Sequence, residues 1–199
     1  MSDPVRTTHA TYDAIAEAFH ERTRTPEKSW RWAERFAERA GAGALVGDLG
    51  CGPGRDLASL RELGLRVFGL DRSLGMLRAG IADYGGARVQ ADLRALPIAD
   101  ASLGGGWANA SLLHLAPDAM SAALGEIARI LRPGAPLHVT LKRGEGAGYE
   151  SERYGRPRWF QLWTDADLDA ALGRAGFDIE IAETRELTDT WLLRQCVRR

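Results

Sequence analysis

The sequence predicts an α/β fold: a mostly parallel sheet covered on both faces by helices and closed by an antiparallel pair of strands. Three observations predict it. From Ala44 onward, short apolar runs of strand type alternate with stretches of helical period. The first of these runs breaks into the glycine series Gly50, Gly52 and Gly54, and a helical pattern resumes at once, as in the opening of a βαβ unit. Finally, Phe177 to Glu183 and Thr190 to Val197 are two strand-like runs joined by a short link, with no helix between them.

Two helical patterns precede the glycines. Tyr12, Ile15 and Phe19 recur at helical spacing among Asp13, Glu17 and Glu21, which predicts an amphipathic helix. Thr25-Pro26 reads as a cap residue with proline at the first helical position, and Trp30, Ala33, Phe36, Ala37 and Ala40 carry a second helix to Gly41. Trp30 and Trp32 read as packing residues, with substrate stacking as the other use of an indole.

Ala44 to Leu49 is then a strand, Leu57, Leu60 and Leu63 mark a helix ending at Gly64, and Leu65 to Leu70 is a strand stopped by Asp71. Ser73 to Ile81 reads as a short helix and Ala87 to Ala91 as a third strand ending at Asp92. Trp107 to Ala110 closes a fourth strand, whose lead-in Gly104-Gly105-Gly106 calls its regularity into question. Pro117 opens a helix with Met120, Leu124, Ile127 and Leu131 on one face, Arg132-Pro133-Gly134 ends it, and Pro136 to Leu141 is a fifth strand. The glycine- and aromatic-rich segment 144–163 reads as a mobile flap, with a loop pinned by its aromatics as the other reading. Thr164-Asp165-Ala166-Asp167 is a capping pattern that opens a last helix.

In a sheet of this kind ligands bind beyond the carboxyl ends of the strands, where the strand order reverses. Asp48, the glycines, Asp71, Asp92, the 109–115 segment and Lys142 all fall at such ends. They converge on one rim.

Composition narrows the class further. The 199 residues are 45% hydrophobic and 27% charged, as in ordinary globular proteins, and no apolar run approaches the roughly 18 residues of a membrane span. The start of the chain lacks the apolar core of a secretory signal, and the two cysteines, Cys51 and Cys196, suggest neither a disulfide framework nor a metal site; the expectation is a cytoplasmic protein, monomer or homodimer. The net charge of −1 offers no general attraction to nucleic acid.

The glycine turn suits a nucleotide-type cofactor, and two classes compete for it. A dinucleotide fingerprint requires Gly-x-Gly-x-x-Gly, but counting from Gly50 its third position is Arg55. Asp71, 21 residues after Gly50, suits a carboxylate on ribose hydroxyls in either class. Asp48 discriminates: it would repel a pyrophosphate, whereas S-adenosylmethionine carries an ammonium and a sulfonium and no phosphate.

At this point the residues resemble a known family, the class I S-adenosylmethionine-dependent methyltransferases. Asp48-Leu49-Gly50-Cys51-Gly52-Pro53-Gly54 is similar to their first motif, Gly69-Leu70-Asp71 to the second, Ala91-Asp92-Leu93 to the adenine-contacting motif, and Leu131-Arg132-Pro133-Gly134 to the lead-in of the fifth strand. The resemblance covers 44–198. It implies a Rossmann-like three-layer sandwich, with a mostly parallel seven-stranded sheet carrying an antiparallel C-terminal strand. Residues 1–43 would form an N-terminal helical cap and 44–199 the S-adenosylmethionine-binding domain, with the flap at 144–163. It further implies that Asp48, Gly50, Cys51, Gly52 and Gly54 hold the methionine part, Asp71 the ribose hydroxyls, and Asp92 with Leu93 the adenine, with Asn109 near the carboxylate or the methyl group and Arg72 and Met76 also among the cofactor-binding residues. The product would be S-adenosylhomocysteine.

For the acceptor, Asn109-Ala110-Ser111-Leu112 lacks the Pro-Pro-aromatic signature of methyltransferases of DNA base amino groups. His114, His20 and Tyr12 are the candidate catalytic residues, each also readable as a packed, hydrogen-bonded side chain. The basic rim suggests a small acidic acceptor, a carboxylate converted to its ester, oriented by Arg24, Lys142 and Arg143 with Tyr154 and Trp159 from the flap. Tyr12-Asp13-Ala14-Ile15-Ala16, Thr23-Arg24 and Trp30 are also similar to methyltransferases that esterify a carboxymethyl group on the tRNA wobble uridine, which keeps tRNA as the alternative acceptor. A non-catalytic S-adenosylmethionine-binding module and an NAD(P)-dependent reductase are the readings from other classes.

Overall fold

The computed structural model describes residues 4–24 and 30–199, with only the backbone of Trp30. The Thr25-Pro26 helix opening and the use of the Trp30 indole therefore lie outside the described residues. Helix α1 spans Pro4–Thr23 and α2 spans Trp30–Ala40. There follow β1 (Leu45–Leu49), α3 (Arg55–Glu62), β2 (Arg66–Asp71), α4 (Leu74–Ala79), α5 (Ile81–Tyr84), β3 (Arg88–Gln90) and β4 (Gly105–Asn109). A 3-10 turn, Leu112–His114, leads to α6 (Pro117–Ile130), β5 (Pro136–Lys142), β6 (Ala147–Glu150), β7 (Arg158–Gln161), α7 (Asp165–Arg174), β8 (Phe177–Glu186) and β9 (Thr190–Arg198).

Seven strands form one sheet in the order β3-β2-β1-β4-β5-β9-β8. The neighbours from β3 to β5 pair in parallel, and β9 alone runs against the rest, pairing antiparallel with β5 and with β8. The strand order reverses between β1 and β4, which opens a crevice at their carboxyl ends.

The layers follow from the apolar patterning. Every residue of β5 is buried, as expected of a strand covered on both faces. On one side Met120, Leu124 and Ile127 of α6 and Leu168 and Leu172 of α7 pack with Leu137 and Val139. Full burial of each such side chain stabilises by about 1.5–3 kcal/mol. On the other side Trp32 and Phe36 of α2 and Leu57 and Leu60 of α3 pack with Val46 and Trp107. The two N-terminal helices thus have different places: α2 belongs to a layer of the sandwich, while α1 packs on α4 through Ile15, Ala16 and Met76.

Three local features differ from what the sequence suggested. The expected helix 73–81 is two, divided at Gly80, where a Cβ would stand 2.0 Å from the Pro53 carbonyl oxygen. β4 is regular despite its glycines, in register with both β1 and β5; a Cβ at Gly105 would come within 2.9 Å of the Phe36 ring, so its glycine makes room for α2. The 144–163 flap contains an antiparallel hairpin, β6 paired with β7. Its period-2 pattern is masked in sequence by alternating charges and aromatics.

Candidate functional site

The crevice is a cavity of ≈ 220 Å³. Its floor comes from the strand ends. Gly50 turns the chain with φ 81°, and the N–H groups of Gly50 and Cys51 both donate to the Leu70 carbonyl, at 2.7 and 2.9 Å. A Cβ at Gly50 would overlap the Ser111 side chain at 2.3 Å, whereas Gly52, with φ 54°, has nothing within 4 Å. Gly52 thus offers bare backbone to the cavity. Its own N–H donates to Asp71 Oδ2 at 2.9 Å, and Ser73 N–H donates to Oδ1 at 2.8 Å, so the Asp71 carboxylate is clamped between two loops. Burial nevertheless raises its pKa.

Asp48, only 2% exposed, lines the floor with one carboxylate oxygen unpartnered. Burial above all, then the charges of Asp56 and Asp71, push its pKa well up. Asp56, in the first turn of α3, has the opposite fate. Burial pushes it up, but Arg55 and hydrogen bonds from Trp107 Nε1 (2.9 Å) and Asn109 Nδ2 (2.8 Å) outweigh that and hold it below the ordinary carboxylate range. Thr140 Oγ1 donates to Asn109 Oδ1 at 2.6 Å and accepts from Ala110 N–H, so both ends of the Asn109 amide are fixed. Ala110 itself adopts φ 53°, a strained left-handed turn that opens the segment to Ser111 and His114. At the far end, Asp92 is bound by Arg94 at 2.9 and 2.7 Å and by Arg72 at 3.1 Å.

The roof is α1. Asp13 Oδ1 accepts from Ser73 Oγ (2.6 Å) and Gly75 N–H (2.9 Å), which ties α1 to the start of α4. Thr11 Oγ1 donates to the Pro157 carbonyl at 2.7 Å, and Trp159 N–H donates to Thr8 Oγ1 at 2.9 Å, which ties the hairpin to α1. Between them lies a chain of three groups: Tyr12 Oη is 2.7 Å from His114 Nε2, and His114 Nδ1 is 2.5 Å from the Trp159 carbonyl oxygen. A carbonyl only accepts, so the ring proton sits on Nδ1, and Nε2 accepts from the phenol. Burial, with Arg158 and Lys142 nearby, lowers the His114 pKa to about 4 against the pull of that carbonyl; burial raises Tyr12 to about 12 against the pull of Arg158.

Residues 47–139 match the family model of a methyltransferase domain. The chain is 32% identical over 152 residues to a malonyl-[acyl-carrier protein] O-methyltransferase of Pseudescherichia vulneris, covering 75% of this chain and 55% of that one. It is 33% identical over 147 residues to a demethylmenaquinone methyltransferase of Thermobifida fusca, covering 69% and 61%. The fold superposes with a TM-score of 0.80 on the Burkholderia thailandensis 1,6-didemethyltoxoflavin-N1-methyltransferase bound to its namesake substrate and S-adenosylhomocysteine, at 22% identity over 100% of this chain and 91% of that one. Residues 47–139 thus carry a methyltransferase domain, on a fold shared with a methyltransferase of known structure. The chain spans about half the length of the first of these curated relatives.

Within this fold the cavity brings together Asp48, Gly50, Cys51, Gly52, Asp71, Arg72, Met76, Asp92, Leu93 and Asn109, with Tyr12 and His114 opposite. Gly54 stands apart. It caps α3 with φ 91°, and a Cβ there would meet Arg88 and Leu57, so its role is in packing. His20 is outside the lining, its Nε2 2.6 Å from Asp83 Oδ2.

The five residues expected at the acceptor also fall outside the lining. Arg24 pairs with Glu21 and Asp83, Lys142 with Glu150 and Asp189, and Arg143 with Asp165. Tyr154 packs near Phe19, and Trp159 meets Tyr149 edge to face while its backbone holds His114. The sign of a charge places it on a rim, but its partner decides what it does. Sequence reading missed Asp56, Ser111, Thr8 and His9. An acid in the first turn after a glycine loop was the available signal for Asp56.

Proposed function

We propose that this chain binds S-adenosylmethionine and methylates an oxygen of a small, acidic acceptor, a carboxylate converted to its ester. The observation that carries the cofactor half is the unpartnered oxygen of buried Asp48 beside the open backbone of Gly52. A buried carboxylate that lacks a partner favours a cationic ligand and disfavours a phosphate. Asp48 and the Gly50 to Gly52 backbone would hold the methionine part, Asp71 the ribose hydroxyls, and Met76, Ala91 and Leu93 would form the adenine wall. When bound, the cofactor supplies an electrophilic methyl group on a sulfonium.

The chain's own residues suit a nucleophile that arrives ionised. His114 is hydrogen-bonded at both nitrogens and, with its pKa near 4, is a weak base at neutral pH; Tyr12 stays a phenol. A carboxylate needs no base and asks only for orientation and exclusion of water, which the roof formed by α1 provides. The names of the relatives that methylate oxygen support this choice.

Melting curves test the cofactor half. S-adenosylhomocysteine at 100 times its dissociation constant should add about 2.7 kcal/mol of stability, NADH none, and Asp71→Ala should lose the shift. Stabilisation by NADH alone would overturn the reading. Label transfer from methyl-labelled cofactor to a mixture of carboxylic acids, with total tRNA as the parallel arm, tests the acceptor: labelled RNA would refute the small-molecule assignment.

A further inference from the structure

Among the described residues three lysines or arginines are buried, and two have carboxylate partners. Lys142, 8% exposed, is bound by Glu150 and Asp189; Arg194, 1% exposed, by Asp165 and Asp169. Arg158, 6% exposed at the start of β7, pairs with no carboxylate among the described residues, and its Nε is buried without a hydrogen-bond partner. Instead its guanidinium lies among three rings, 5.0 Å from the centre of Tyr154, 5.1 Å from Phe160 and 5.9 Å from Tyr12. Ring faces attract a cation but do not neutralise it, so the charge stays uncompensated. Beside it the Tyr154 hydroxyl is also buried and unpartnered.

The guanidinium gives a hydrogen bond to the Tyr12 hydroxyl, but its Nε–H and the Tyr154 hydroxyl find no acceptor among the described residues. The pair stands one side chain behind the cavity: Tyr12 and Phe19 both line it, Phe19 packs 5.9 Å from the Tyr154 ring, and Tyr12 holds His114. We propose that Arg158, with the Tyr154 hydroxyl, is the recognition site for an anionic group of the methyl acceptor, reached from the cavity when the Tyr12 and Phe19 rings, packed edge to face at 5.7 Å, part. The inference rests on the proposed acidic acceptor. It replaces Arg24, Lys142 and Arg143, whose charges are already neutralised within the chain.

The test uses the full chain saturated with S-adenosylhomocysteine. Malonate, benzoate and phenylacetate are compared with their neutral amides at matched ionic strength. At least one acid should raise the melting temperature of the wild type, its amide should not, and Arg158→Gln should abolish the difference while S-adenosylhomocysteine affinity stays within twofold. Equal shifts in both proteins, or no shift with any acid, would overturn the assignment. Failure of S-adenosylhomocysteine to bind would instead strike the cofactor reading, so the two failures are distinguishable. A ligand-free control separates recognition from scaffolding: Arg158→Met should melt at or above the wild-type temperature, because it removes a buried unpaired charge. A marked fall would show that the arginine serves the fold and would sink the proposal.

Discussion

The floor and the roof of the cavity are built in opposite ways. The floor is charged and local: Asp48, Asp56 and Asp71 lie within a few residues of the Gly50 turn or of the end of the next strand, and backbone N–H groups fix Asp71. The roof is aromatic and uncharged where it faces the cavity beside His114, and it is assembled across the chain, with 102 positions separating Tyr12 from His114, 146 separating Thr11 from Pro157 and 151 separating Thr8 from Trp159. A floor of this kind is fixed by backbone geometry and disfavours anions. A roof of this kind depends on a few side-chain hydrogen bonds and can change without disturbing the floor.

The largest effect should come from breaking the floor at Gly50. Gly50→Ala forces a Cβ into a left-handed conformation, at about 1–2 kcal/mol, and into Ser111, where overpacking adds about 1–3 kcal/mol. A loss of about 2–5 kcal/mol is a large share of a domain's stability and should be plain in a urea midpoint. Gly52→Ala is the control. It carries the conformational cost without a clash, so it should destabilise less and act chiefly on cofactor affinity, because its Cβ would enter open space in the cavity. Equal destabilisation by the two would mean that contact with Ser111 does not shape the floor.

That contrast also explains what the sequence could reveal. The glycine turn, Asp48, Asp71 and Asp92 were legible because strand ends and acids are read within a window of a few residues, and the parallel topology then brings them to one crevice. Arg24, Lys142 and Arg143 were misplaced because a charge in sequence does not disclose its counter-ion; each is bound by carboxylates between 3 and 59 positions away. The hairpin and the carbonyl behind His114 depend on contacts between distant segments. No local period encodes those.

A smaller effect concerns the charge of the floor. Burial raises the Asp48 pKa above the 3.8 of an unfolded chain, so the folded state favours the neutral carboxyl. The sign follows: Asp48 costs no stability below pH 3.8, and stability falls as pH rises from there through the raised pKa. Asp48→Asn cannot ionise, so ligand-free it should be more stable than the wild type at neutral pH, and the gap should close on acidification. Binding should show the converse. The ammonium of S-adenosylhomocysteine prefers the carboxylate, so wild-type affinity should tighten with rising pH, while Asp48→Asn binds more weakly and with a flatter profile. Calorimetric titrations at several pH values would decide; a wild-type affinity that weakens as pH rises would contradict the role of Asp48.

The smallest expected effect tests the roof alone. Thr11→Val keeps the shape of the side chain but removes its hydrogen bond to the Pro157 carbonyl, worth about 0.5–1.5 kcal/mol, with a further cost if that carbonyl stays buried and unpaired. Because Thr8 still accepts from Trp159 and Asp13 still holds α4, α1 should remain seated. Hydrogen exchange should therefore quicken across β6 and β7 by about tenfold or less, while the Gly50 to Gly52 amides and S-adenosylhomocysteine affinity change little. Faster exchange in the floor as well would mean that the two halves open as one unit, and that the roof does not move independently of the cofactor site.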